Sequence, residues 1–147
     1  MRAYKVTDAA STYVLTTSEV KEHLKIDSSV EDTYINNLLI AAQNSCEEYT
    51  NRFFIDTTLT QYCDNWSGTK ELLNNQVWTI ESIKYYDENN DLQTLASRVY
   101  TFDTALMPTR IALEPNQSFP SIVDKINAVQ VEYKVGQASA ATVDNAI

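Results

Sequence analysis

Residues 30–54 read VEDTYINNLLIAAQNSCEEYTNRFF, and this stretch decides the fold class. Tyr34, Leu38, Ala41, Ala42, Ser45, Cys46, Tyr49 and Phe53 recur at steps of three and four, the spacing that gathers side chains on one face of an α-helix. About 22 residues pass without Gly or Pro, enough for roughly 33 Å of helix. Glu31 and Asp32 at its start and Arg52 near its end complement the helix dipole. A small and apolar stripe of this length must face something, and it is expected to be the packed face of the helix.

The segment just before it announces a second, shorter helix. In LTTSEVKEHLKI, residues 15–26, Thr16 and Glu19 have the spacing of a capping box, and Leu15 and Val20 stand where a hydrophobic staple closes over it. The helix should run from Thr17 to about Lys25, with Val20, His23 and Leu24 on one side. Ser28 and Glu31 form a second box ahead of the long helix. With so short a connection the two helices should pack as an antiparallel or crossed pair.

Beyond Phe54 the period changes. Residues 57–66 are rich in Thr, Tyr and Leu and end at Ser67-Gly68, which reads as a strand and a turn. Residues 77–86 form a strand separated by DENND, residues 87–91, from a short one at 92–95, in the manner of a hairpin. Two more short strands are expected at 99–102 and 110–113. The clearest is AVQVEYKVG, where Val129, Val131, Tyr133 and Val135 alternate with polar residues up to Gly136. The fold class is therefore α+β: an N-terminal helical pair with one long helix, an antiparallel sheet of short strands, and a C-terminal segment that starts a helix at Thr142. One domain over 1–147 is expected, divided into an N-terminal arm (1–14), a helical part (15–56), a β part (57–136) and a tail (137–147).

Composition narrows the function. Eleven Lys and Arg against twenty Asp and Glu give a net charge of −9, which disfavours nucleic acid and anionic membranes as partners. No apolar run approaches the ~20 residues of a membrane span, and residues 1–14 lack a signal-peptide core. The expectation is a soluble chain made inside the cell. Cys46 and Cys63 have no neighbouring His or second Cys, so they read as free thiols. His23, the single histidine, lacks any nucleophile motif to serve and reads as an ordinary helix-surface residue. Asp87, Glu88 and Asp91 offer oxygen ligands without the EF-hand order, so a solvated turn is the better reading. Glu81 and Glu132 are the pair a glycoside hydrolase would need, a weaker alternative because only their separation in space decides. No catalytic residue, metal site or cofactor is expected.

In order, LTTSEVKEHLKI, SSVEDTYINNLLIAAQNSCEEYTNRFF, VWTIESIKYYDENNDLQTL and INAVQVEYKVG resemble the head-tail connector proteins of tailed bacteriophages and prophages. The phrases that carry the likeness are YTNRFF at the end of the long helix, IESIKYYD at 80–87 and VEYKVG at 131–136. The resemblance implies a structural protein of the virion neck, made in the host cytoplasm. It would be a homo-oligomer, a dodecameric ring, between the portal protein and the stopper or tail completion protein, with genomic DNA passing through without specific binding. The long helix would be the strut of each subunit, with a further face free to meet a neighbouring copy. Interface candidates are Tyr4 and Tyr13 on the arm, Trp66, Trp78 and Phe119 beside loops, and Val143 and Ile147 on the tail. For the three loop aromatics, core anchoring and interface contact are both open. Exposed aromatics also suit a carbohydrate-binding module, a different class, although such a module has little need of the long helix.

Overall fold

The computed structural model describes residues 2–73, 77–105 and 107–137, and the expected helix start at Thr142 lies outside them. The chain divides into two compact units, residues 1–9 with 57–136 and residues 10–56 with 137–147.

The second unit is helical. Helix α1 (Thr17–Leu24) begins at Thr16, whose hydroxyl accepts from the Glu19 amide while the Glu19 carboxylate accepts from the Thr16 amide at 2.7 Å. The box forms as the sequence predicts. The Thr16 hydroxyl and then the Thr16 amide hold the Glu19 carboxyl below its ordinary pKa. Helix α2 (Asp32–Thr50) is 19 residues long and closes at Asn51, which adopts φ 51° and sends its amide back to the Glu48 carbonyl. The second expected box does not form: Glu31 caps α2 without a side-chain bond, and the Ser28 hydroxyl accepts from the Val30 amide instead. Lys21 pairs with Asp32 at 2.6 Å and the Thr17 hydroxyl meets Asn36, which ties α1 to α2.

The face of α2 is the reverse of the expected one. Ile35 is buried and Asp32, Asn36, Leu39, Ile40, Gln43 and Glu47 are half-buried, whereas Tyr34, Leu38, Ala41, Ala42, Ser45, Cys46 and Tyr49 are exposed; Phe53, the last residue of the expected stripe, is half-buried beyond the end of the helix. The inward polar side chains have partners within the unit. Gln43 accepts from the Val14 amide at 3.0 Å and donates to Glu47, which accepts from the Phe54 amide at 2.9 Å. Phe54 in turn accepts from the Gln137 amide, and Ile55 bridges Gln137.

The first unit holds a five-stranded antiparallel sheet in the order β1-β2-β7-β3-β4, and a two-stranded sheet of β5 and β6. The strands are β1 (Arg2–Asp8), β2 (Thr57–Cys63), β3 (Val77–Tyr86), β4 (Leu92–Thr94), β5 (Tyr100–Asp103), β6 (Arg110–Leu113) and β7 (Val129–Val135). Arg2–Asp8, expected as part of an arm, is thus an edge strand. β7 lies at the centre, and its alternation places Val129, Val131, Tyr133 and Val135 on the core face with Leu59, Cys63, Ile80 and Ile83. Tyr4 stands opposite Gln61 and Val6 opposite Leu59, so the same face runs out onto β1. In the DENND turn, Asp87 accepts from the amides of Asn89 and Asp91, and Asn90 takes φ 65°. These bonds, the Asp91 amide first, hold the Asp87 carboxyl below its ordinary pKa.

One polar side chain sits fully shielded in this core. The Gln61 amide donates to the carbonyls of Gly68 and Glu71, both at 3.2 Å, and accepts from the Leu73 amide at 2.8 Å. Gln61→Leu keeps the volume but strands these backbone groups, and each unsatisfied buried polar group costs about 1–3 kcal/mol. Urea unfolding should report a loss of about 2–4 kcal/mol, and an unchanged midpoint would contradict it. Tyr133 is the opposite case: its hydroxyl is buried with no hydrogen-bond partner among the described residues, and burial pushes its pKa up. Tyr133→Phe should leave stability unchanged or raise it by up to about 1 kcal/mol, measured by thermal melting, because nothing is lost with the hydroxyl.

Candidate assembly surfaces

The sequence nominated contact residues rather than a catalytic centre, and the structure places them in different surroundings. Trp66 opens a short 3-10 turn (Trp66–Thr69) after Asn65, whose side chain accepts from the Gly68 amide. The Trp66 indole N–H donates to the Pro120 carbonyl at 2.8 Å. Its ring stacks on Phe119 with centroids 4.5 Å apart and planes 7° from parallel, and it meets Tyr85 at 5.5 Å. Trp66 and Phe119 therefore clasp the segment around residue 119 to the loop after β2. Trp78 is 45% exposed on β3, with the Lys134 ammonium 5.5 Å from its ring. Tyr4 is 41% exposed on the edge strand and Tyr13 is half-buried. Val143 and Ile147 lie outside the described residues.

The carboxylates considered for chemistry are engaged elsewhere or dispersed. Glu132 accepts from the Ser82 hydroxyl at 3.0 Å and lies 3.6 Å from Lys84, while Glu81 is exposed beside an irregularity in β3 pairing. Asp103 pairs with Arg110 at 3.2 Å across β5 and β6; the Ala105 amide and then Arg110 hold its carboxyl low. Among the described residues no three His, Cys, Asp or Glu side chains gather in a group fit for a metal ion. No described helix is long and apolar enough to cross a membrane.

What the molecule does present is exposed apolar surface. On α2, Tyr34 is 64% exposed, Leu38 52% and Tyr49 92%, with Ala41, Ala42 and Ser45 between them. The periodicity of these residues in the sequence predicts the packed face of α2; the structure leaves them exposed instead.

A sequence profile described as phage gp6-like head-tail connector protein matches residues 15–110, from the start of α1 to the start of β6. The chain belongs to this head-tail connector family. No curated protein matches it in sequence. Solved structures match the fold: a chain in the virion of a native gene transfer agent particle aligns with a TM-score of 0.75 at 17% identity, covering 95% of this chain and 74% of the other. A chain in the neck of the native particle, computed with C12 symmetry, gives 0.65 at 16%, covering 95% and 73%. One in the neck of the empty particle, computed with C6 symmetry, gives 0.65 at 16%, covering 92% and 71%. A connector is a structural protein that joins head to tail, which suits a chain whose notable surfaces are apolar faces.

The two tryptophans separate packing from surface in this connector. Trp66→Ala removes a stacked ring and a hydrogen bond and should cost about 3 kcal/mol in urea unfolding. Trp78→Ala, on exposed surface, should stay within about 1 kcal/mol. Equal losses would contradict the assignment of Trp66 to internal packing.

Proposed function

We propose that this connector acts as one subunit of a closed ring in the particle neck, seated against the portal and receiving the stopper or tail component, without catalytic activity. The observation that carries the reading is the connector profile across both helices and strands β2 to β5. The same fold occurs in particle necks computed with C6 and C12 symmetry, which favours a ring of six or twelve. Heterologous contacts repeated about an axis close such a ring. A net charge of −9 suits a conduit for DNA, because a wall poor in Lys and Arg neutralises few phosphates and does not retain the strand. A carbohydrate-binding module is the less favoured alternative, since Trp66 and Phe119 spend their faces on each other.

Native mass spectrometry of the purified chain, alone and with its portal protein, tests the proposal. The expected result is a discrete closed oligomer, formed alone at high concentration or on the portal. A chain that stays monomeric in both conditions would refute the ring.

A further inference from the structure

We infer that the outward stripe of α2, Tyr34, Leu38, Ala41, Ala42, Ser45 and Tyr49, is the surface through which one copy of this chain packs against the next. The inference rests on the ring reading and adds the contact itself. These side chains share one side of a helix about five turns long, opposite the half-buried Asn36, Ile40, Gln43 and Glu47. Large exposed side chains at either end bracket small ones in the middle, where Ala41, Ala42 and Ser45 let another backbone come close. The helix offers roughly 300 Å² in projection, too little for a whole interface of ~800 Å² per partner but right for its apolar centre. Thr33, Asn37 and Asn44 flank the stripe with uncharged polar groups, the anatomy of a rim.

Charge selects the occupant. Every copy carries −9, so two copies repel wherever acidic surface meets acidic surface. From Thr33 to Cys46 α2 carries no charged residue, and the exposed carboxylate of Glu48 stands at the C-terminal end of the stripe, next to Tyr49. A basic partner would gain nothing from this stretch, whereas an identical acidic chain can approach here without setting carboxylate against carboxylate. The stripe therefore fits a second copy better than a cationic ligand or nucleic acid.

The test uses the full chain in sedimentation equilibrium, with Leu38→Glu and Ser45→Glu as stripe variants and Thr101→Glu, on exposed β5, as the control. Wild type and control should self-associate, and the stripe variants should associate at least about tenfold more weakly while melting as wild type does, because a charge is placed at the desolvated centre. If Leu38→Glu melts early, Ser45→Glu carries the comparison. Wild type and both stripe variants associating alike, alone or on the portal protein, would overturn this inference and leave the ring standing; no association by wild type either alone or with the portal protein would overturn both. A photoreactive residue at position 38 should crosslink to an identical chain. Crosslinking only within its own chain, to residues 138–147, or only to the portal protein, would assign the stripe to another occupant and overturn the inference.

Discussion

A single buried amide organises much of the β unit. Gln61 lies on the core face of β2, where every neighbour in register is apolar or aromatic, and it supplies the two donors and one acceptor that the loop after β2 lacks. With that loop fixed, other contacts follow. The Leu72 amide reaches the Thr109 carbonyl and the Lys70 carbonyl receives the Ile111 amide, which attaches the small sheet. Trp66, held at the head of the same loop, attaches Phe119 and Pro120. A polar residue in a core is tolerable only when its hydrogen bonds are complete, and here their completeness holds in place a loop that also bridges β6 through Glu71 and Arg110.

Helices and strands were legible because each rests on local periodicity. Thr16 with Glu19, the 3.6-residue repeat of α2, the hairpin around DENND and the alternation of β7 all appear where the residues say they should. The facing of α2 was not legible. Its inward side carries Asp32, Asn36, Gln43 and Glu47, which read as solvent-facing until their partners are known. Those partners are Lys21, Thr17 and the amides of Val14 and Phe54, groups from other segments of the helical unit. Hydrophobic periodicity weighs side chains against water and has no means of weighing them against specific hydrogen bonds.

β1 was hidden for a related reason. Tyr4 and Val6 alternate with Lys5 and Thr7 over too few residues to stand out, and the strand's partner β2 is remote in sequence. An edge strand has one ladder instead of two, so its composition is less constrained than that of β7. The same ambiguity governed the aromatics: nothing in the residues around Trp66 and Trp78 announces that one ring is stacked on Phe119 and the other is left exposed.

The misread face and the proposed assembly surface are one observation seen from two sides. For a monomer, a helix that hides Gln43 and Glu47 while showing Leu38 and Tyr49 spends hydrogen bonds inward and leaves apolar area in water. For a subunit, the same arrangement has a rationale. Hydrogen bonds fix α2 within its own unit by direction as well as distance, leaving the apolar stripe available for a contact that gains free energy only when a neighbour arrives. Because each copy carries −9, that gain must also exceed the mutual repulsion of the acidic remainder, which ions screen over about 8 Å at physiological salt. An apolar, uncharged contact strip and an otherwise acidic surface therefore work together: the first permits association in one register, and the second opposes it in the others.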